Sequence, residues 1–567
     1  MPAAALTLRE VLNNSARTYP DRTALTMIDG ACMTYRELHQ QSGALSRFLA
    51  MQGIGFGDRV AILGENMTNW GVAYFAITAM GAVAVPILPD FHSSDIMRIL
   101  LHAEPKAIFV SRRLFEKLEV GNSGGPSLTI LLNDFTIVPQ GTSGESLDRL
   151  LADGSRAFAH LAVPSDAAGS RPEAPLRHND LAVIVYTSGT TGHSKGVMLT
   201  HGNLVSDAEA LIMITGVNKD DRFLSILPLP HTYECTIGLI TPVLVGASVY
   251  YLDKPPSAGV LLPALARIQP TIMLSVPLVI EKIYKGKIHP ELTRSAMLRK
   301  LLEVGITRKL LHRVAGRKLL QTFGGKLRIF AIGGAPLAPD VESFLREAGF
   351  PYAIGYGLTE TAPLVAGTPP WKTRYRSTGP ALPGTQIRID NPDPVTGEGE
   401  ILIKGPTVMQ GYYKDPERTR EVFTGDGWLK TGDLGVLDRD NYLYIKGRLK
   451  NMILGPSGKN IYPEEIEAII NEFDSVSESI VYEHQNRLVA LVHPDYEKLQ
   501  QAIHSFSDSD LGKRMTAMME DLRQQINERV PQYARLHKLI EHAEPFEKTP
   551  TQKIKRHLYL QQLKRTG

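Results

Sequence analysis

The sequence predicts an α/β protein: a large N-terminal domain of parallel sheets flanked by helices, with a small β-rich unit attached, followed by a smaller α+β domain. Three observations predict it. Between Val60 and Val85, a short apolar run, a longer one and a second short one read as strand, helix and strand. After Gly384 the apolar runs shorten and turns become frequent, as in Gly384–Asp390 and Glu400–Gly405. From Gly447 onward, helix and strand patterns start again as a separate small unit.

Each element has a local reason. Thr7 with Glu10, and Thr34 with Glu37, have capping-box spacing ahead of apolar periodic runs. Leu8, Val11 and Leu12 recur at helical spacing in the first of them. Val60–Leu63 is a short strand, Trp70–Met80 a buried helix stopped by Gly81, and Val83–Val85 a strand ended by Pro86. Such a unit predicts parallel strands with a right-handed crossover. A strand over Leu181–Tyr186, a helix after Asn203 and a strand over Arg328–Ile332 continue the pattern. Thr236–Leu252 is the most apolar stretch, but Gly238, Pro242 and Gly246 interrupt it, so it reads as a buried helix, turn and strand. Near the end, Pro463–Ile470 is a helix, Ser479–Val492 a strand pair and residues 510–530 a polar helix. Val163–Arg177, rich in Ala, Ser and Pro, reads as a linker, and there is no internal repeat.

Composition sets the bounds. At roughly 150 residues per domain, 567 residues make about three or four packing units. With 43% hydrophobic and 21% charged residues the chain is an ordinary globular one. A net charge of +3 gives no ground for a nucleic-acid partner. The two cysteines, Cys32 and Cys235, make no disulfide framework and fit a reducing compartment. The first residues lack a basic segment followed by an apolar one, so no signal peptide is expected. The expectation is a cytoplasmic protein, with peripheral membrane contact left open and oligomeric state undefined.

The strongest chemical signal is the run from Tyr186 to Val197. A strand ends at Tyr186, and Thr187, Ser188, Thr190 and Thr191 then supply hydroxyls. Gly189, Gly192 and Gly196 let backbone N–H groups approach an anion, and Lys195 adds positive charge. Clustered small donors of this kind suit a polyphosphate. The Gly-Lys-Ser order of a Walker A loop is absent.

From this loop onward the chain resembles the acyl-adenylating superfamily of acyl-CoA synthetases, peptide-synthetase adenylation domains and luciferases. Further segments agree in register: Leu227–Glu234, Gly333–Leu337, Tyr356–Glu360, Trp428–Gly435, Gly447–Asn451 and Thr549–Arg556. Ser194 and Gln552 depart from the commonest spelling, which has proline and glycine there. The resemblance implies an N-terminal ATP- and acid-binding domain over residues 1–447, a hinge over 448–451 and a mobile C-terminal domain over 452–567. It implies adenylation by Lys553, assisted by His231 and Thr187. It places Mg²⁺ on Glu360 with Thr187, and adenine against Tyr356. It gives the nucleotide phosphates and ribose to the loop residues Thr187, Ser188, Gly189, Thr190, Thr191, Gly192 and Lys195, and to Gly334, Ala335, Gly357, Thr359, Asp433 and Arg448. Lys450 is then the hinge residue and Gly458 lines the tunnel for the pantetheine arm of coenzyme A.

The spelling around His231 and Gly458 is most like bacterial long-chain fatty acyl-CoA synthetases. The implied reaction makes acyl-AMP from a fatty acid and ATP, then acyl-CoA, AMP and pyrophosphate. Aryl acids, and an acyl carrier protein as acceptor, are the alternatives. Some long-chain enzymes carry a tryptophan gate four residues after the motif histidine, and here Cys235 holds that place. A metal pair of His231 and Glu234 lacks a visible third ligand. A different class, a serine hydrolase, is offered by Gly121–Gly125 around Ser123, but no helix follows as a nucleophile elbow requires.

Overall fold

The computed structural model describes residues 6–118, 125–139, 142, 147, 175–187, 195–454, 460–473, 475–485, 487–496, 508–548 and 554–559, without side-chain detail over 508–514. Both capping boxes form: Thr7 starts the helix Leu8–Thr18 and Thr34 the helix Tyr35–Met51, each bonded reciprocally to its glutamate. A third box, Thr200 with Asn203, starts the helix His201–Thr215, three residues earlier than its apolar run suggests. Asparagine at the third helical position does the work that glutamate does in the other two.

Two eight-stranded sheets dominate. In the first, Tyr352–Gly357, Ile329–Ile332, Ile272–Ser275, Arg222–Ser225, Ser248–Tyr251 and Thr23–Met27 run parallel in that order. Antiparallel strands Leu364–Gly367 and Cys32–Thr34 close its two edges. In the second, Leu181–Thr187, Val83–Ile87, Arg59–Leu63, Ala107–Val110 and Leu128–Leu131 run parallel. Lys195–Thr200 and Gly411–Tyr412 extend it on one side by antiparallel pairing. Pro86 does not end its strand but pairs with Ile62. That strand meets Leu181–Thr187 at a single register position, Ala84 with Val183, so a residue without an amide is tolerated there.

The main core lies between these sheets. Its centre is the helix Thr68–Ala79, apolar on every face, as expected of a helix with no solvent side. A Cβ on Gly71 would stand 2.6 Å from Leu25 Cδ1, so glycine lets that helix lie close on the first sheet. The stretch around Gly246 folds as expected into helical turns over Tyr233–Val245 and the strand Ser248–Tyr251. The β-rich unit is a four-stranded antiparallel sheet of Gln386–Asp390, Gly399–Lys404, Leu429–Leu437 and Leu443–Arg448.

The C-terminal part has a core of its own, around the strands Val476–His484, Arg487–Pro494 and Lys538–Glu541 and the helices Pro463–Ile470 and Asp508–Arg529. It meets the four-stranded sheet through polar groups. Tyr462 donates to Glu398 at 2.7 Å, Lys446 pairs with Glu398 at 3.1 Å and Glu465 at 3.7 Å, and Asn451 donates to Glu464 at 2.6 Å. Among the described residues no helix is long and apolar enough to cross a membrane.

On the outer side of the first sheet, the helix Gly305–Thr322 is pressed onto Pro339–Ala348. Arg308 and His312 both bind Glu347, the histidine at 2.8 Å. A Cβ on Gly316 would lie 2.7 Å from Ala348 Cβ and 2.8 Å from its carbonyl oxygen. Gly316→Ala should therefore destabilise the fold by about 1–3 kcal/mol through overpacking, although alanine is the better helix former by about 1 kcal/mol. Thermal unfolding measures it, with Gly305→Ala, which meets nothing within 4 Å, as the unaffected control.

Candidate active site

The strands on either side of the Ser-, Thr- and Gly-rich run pair antiparallel, and Thr187 opposite Lys195 is the last pair. Ser188, Gly189, Thr190, Thr191 and Gly192 lie outside the described residues, as do Ser123, Gly458 and Lys553. The strand pair is tightly fixed. A Cβ on Gly196 would stand 2.9 Å from Ile184 and 3.3 Å from Tyr413, and its carbonyl accepts from Tyr413 N at 2.8 Å. Tyr186 bonds His102 Nδ1 at 2.7 Å, and the His102 ring meets both Tyr186 and Tyr413 edge-on.

Lys195 carries its ammonium 4.8 Å over the Tyr412 ring, and Tyr412 donates to Glu360 Oε1 at 2.9 Å. Burial lowers the Lys195 pKa, the Glu360 carboxylate opposes that, and Arg418 and Lys450 add to the lowering. Lysine, tyrosine and glutamate thus form one charged cluster at the end of the strand pair. Tyr412 reaches it because Gly411–Tyr412 adds a two-residue strand beside Val197 and Met198. The Glu360 backbone is fixed too, its carbonyl accepting from Met409 N at 2.9 Å.

A second cluster stands at the end of Tyr352–Gly357. Tyr356 donates to Asp433 Oδ2 at 2.7 Å, while Arg448 Nε meets Asp433 Oδ1 at 2.7 Å. Asp433 and Arg448 face each other in register on neighbouring strands. Asp433 is 4% exposed, and its amide donates to Thr431 at 3.0 Å. Gly357 must be glycine, because a Cβ there would overlap the Pro363 carbonyl at 1.8 Å. Thr359 and Glu360 follow at once in a 3₁₀ turn. Gly334 and Ala335 are exposed after the strand Ile329–Ile332, and Gly333 packs against Tyr233, whose Cζ would lie 3.3 Å from an added Cβ.

His231 accepts from Tyr233 N through Nδ1 at 3.2 Å, which leaves the proton of the neutral ring on Nε2. Its loop hangs on Asn66, which donates to Leu227 O at 2.6 Å and to Ser225 Oγ at 2.9 Å, and accepts from Leu229 N at 2.8 Å. Behind it, Glu234 is buried, and burial raises its pKa to about 8, partly offset by a hydrogen bond with Ser225. Gly238 leaves room for this carboxyl: an added Cβ would lie 2.5 Å from Glu234 Oε1. No group of three or more possible metal ligands occurs among the described residues.

An apolar slot of about 50 Å³ runs between the helices and the first sheet. Ile214, Tyr233, Ile237, Leu274, Ala331 and Leu364 are among its walls. Cys235 does not line it; this thiol is buried against Tyr74 instead.

Lys450 is exposed in a tight turn after the strand Leu443–Arg448, where Asn451 N and Met452 N both bond Arg448 O. The described residues before and after Lys553 are held in place. Lys548 bridges Ile554, Lys555 N donates to Glu547 O at 2.8 Å, and Arg556 binds the buried carboxylate of Glu467. The hairpin Ile453–Leu454 with Asn460–Ile461 likewise brackets Gly458. Sequence reasoning missed Tyr412 and Asn66 as site elements. The aromatic pair after Gly411 was the available signal for the first; for Asn66 there was none.

An α/β body with a Ser-, Thr- and Gly-rich run between paired strands, two charged clusters at strand ends and a second domain docked through polar contacts defines a nucleotide-using enzyme. The chain belongs to the family described as AMP-binding enzyme, whose pattern matches residues 12–413. It is an ATP-dependent, adenylate-forming enzyme. It is 29% identical to the peroxisomal long chain acyl-CoA synthetase 7 of Arabidopsis thaliana, over 97% of this chain and 84% of that one. It is 31% identical to the long-chain-fatty-acid–CoA ligase FadD15 of Mycobacterium bovis, over 80% and 76%. Among solved structures, ATP-bound MatB from Rhodopseudomonas palustris superposes with a TM-score of 0.74 at 25% identity, over 99% of both chains.

Glu234 gives this site a pH signature. Its pKa is about 8 folded against an ordinary 4.5, so the folded state holds a proton that the unfolded state loses between those values. The contribution of Glu234 to stability is therefore fully present below about pH 4.5 and is lost as pH rises through about 8, by on the order of 5 kcal/mol in total. Glu234→Gln keeps a neutral hydrogen-bonding group. Its melting temperature relative to wild type should rise as pH is taken from about 5 to about 8. Parallel melting curves across that range would exclude a protonated Glu234.

Proposed function

We propose that this enzyme joins a fatty acid to AMP and then passes the acyl group to coenzyme A. The observation that carries the nucleotide half is the pair of clusters. The carboxylate of Asp433, held by Tyr356 and Arg448, stands where a ribose would offer two hydroxyls, and Tyr356 presents an aromatic face for adenine. Lys195 and the hydroxyls of Thr187, Ser188, Thr190 and Thr191 take the phosphates. The donor set of Glu360 and Thr187, carboxylate and hydroxyl, suits a hard cation, so these residues would hold the Mg²⁺ that accompanies ATP. That ion, when bound, supplies charge neutralisation between phosphate oxygens.

The chemistry asks one anion to attack another. A carboxylate oxygen must approach the α-phosphorus while pyrophosphate leaves, so the protein has to neutralise charge and hold the groups in line. His231, with its Nε2 proton, would orient the acid. Lys553 would bring a second ammonium to the carboxylate and the phosphate. The C-terminal domain then rotates about Lys450, withdraws Lys553 and presents Gly458 to the pantetheine thiol, which displaces AMP from the acyl carbon.

The apolar slot behind Gly333 and Gly355 supports an aliphatic acid. The relatives named for long-chain acids support a long one. At about 50 Å³ the slot is too small for a long acyl chain, which would enter by displacing lining side chains such as Tyr233 and Ile237.

Pyrophosphate release should be faster with decanoate through oleate than with acetate, benzoate, coumarate or amino acids. A best substrate among the aryl acids would remove the fatty-acid reading and leave adenylation standing. Lys553→Ala should lower adenylate formation about a hundredfold or more, yet spare transfer from preformed acyl-adenylate to coenzyme A. Equal loss in both half-reactions would take away its assigned role.

The hinge has its own test. Proline fixes φ near about −65° and restricts the preceding residue, here Leu449. Lys450→Pro should hold one domain orientation, preserving one half-reaction in single-turnover kinetics and slowing the other by orders of magnitude. Lys450→Ala keeps the torsional freedom and should spare both. Normal rates of both half-reactions in the proline variant would place the hinge elsewhere.

A further inference from the structure

We propose that the exposed face of the helices Ala296–Glu303 and Gly305–Thr322 docks the enzyme on an anionic lipid surface. A surface helix normally turns its apolar stripe to the core. The first of these helices buries none of its eight residues. Met297 is 73% exposed, Val304 55%, Ile306 77%, Leu310 55% and Val314 55%. These five make up the densest run of exposed large apolar side chains in the described residues.

The second helix shows how the face is built. Ile306, Leu310 and Val314 repeat every four residues and form one apolar stripe, about 12 Å long. Lys309, Arg313 and Arg317 repeat at the same interval and are exposed beside it. The opposite side is fixed to the body by His312, Gly316 and Leu319, so the striped face is held outward. Among the described residues no carboxylate pairs with Lys309, Arg313 or Arg317.

Charge complementarity selects the occupant. Between residues 294 and 318 there are eight lysines and arginines and one acid, Glu303, in a chain whose whole net charge is +3. Long cationic side chains next to a shallow, convex apolar stripe match an interface of anionic headgroups over acyl chains. A nucleic acid would pair with the cations and leave the aliphatic side chains in water. An acidic protein would need a complementary groove for a convex surface. The lipid surface satisfies both halves of the face at once, and the proposal holds whichever acid is activated.

The test is sedimentation of the full chain with vesicles of phosphatidylcholine, alone or mixed with phosphatidylglycerol. The chain should bind the mixed vesicles, not the neutral ones, and release at high salt. Substituting Ile306→Ser, Leu310→Ser and Val314→Ser together should weaken binding about a hundredfold, from the apolar area removed. Substituting Lys309→Gln, Arg313→Gln and Arg317→Gln together should also weaken it about a hundredfold, each charge near such a surface being worth about fivefold. Both variants should keep the wild-type melting temperature and pyrophosphate release with a soluble short acid, which separates this proposal from the catalytic one. Wild-type chain that stays off anionic vesicles, or variants that bind them equally, would overturn it. So would variants that lose binding to a purified acidic carrier protein while keeping vesicle binding.

Discussion

The structure turns on one buried carboxylate. Asp433 accepts from Tyr356, on the first large sheet, and from Arg448, at the end of the last strand before the chain leaves for the C-terminal part. Two units, the first large sheet and the four-stranded sheet, are therefore registered on a single side chain. A carboxylate that is 4% exposed is costly to desolvate, and two donors at 2.7 Å offset that cost only while both are in place. Loss of either partner weakens what offsets that buried charge, so the proposed ribose site and the proposed hinge would be mechanically one feature.

The cores and the interface between them differ in kind, as the proposed domain rotation requires. The sheets and their sandwiched helices share a continuous apolar core, and the C-terminal part has another. Between them stand Tyr462, Lys446, Glu398, Glu465, Asn451 and Glu464, whose contacts water can replace. An interface of this type gives up little on separation, unlike an apolar one of the same extent. The active-site loops, by comparison, are anchored on both sides. The strand pair flanking residues 188–194 is held by Gly196, Tyr186 and His102, and Lys555 and Arg556 are held by Glu547 and Glu467.

What could be read from the sequence was local or carried by a motif. The boxes at Thr7 and Thr34 need only residues three apart, and they formed as read. Thr200 was passed over because asparagine replaces the expected acid. Pro86 was read as a stop because a lone strand cannot show which of its neighbours leaves an amide unneeded. Asp433 and Arg448 were visible as motif members; that they share a bond with Tyr356, 77 residues away from the aspartate, was not. Asn66 and the loop it suspends are about 160 residues apart, and nothing in the composition around Asn66 marks it. Pairing at such separations is set by sheet order, and sheet order is what short apolar runs fail to specify.

The two lysines of the proposed reaction sit on opposite sides of this division, and the chemistry explains why. Phosphates must be held before, during and after adenylation, so Lys195 belongs on the fixed strand pair, beside Tyr412 and Glu360. Partial burial makes its charge costlier to keep, and the Glu360 carboxylate meets part of that cost. A second cation is needed only while the carboxylate oxygen meets the α-phosphorus. Left in place it would occupy the side from which a thiol must arrive, and it would go on stabilising the adenylate rather than its departure. Carrying Lys553 in a domain that meets the body through polar contacts would let the ammonium be present for one step of the proposed reaction and removed for the next.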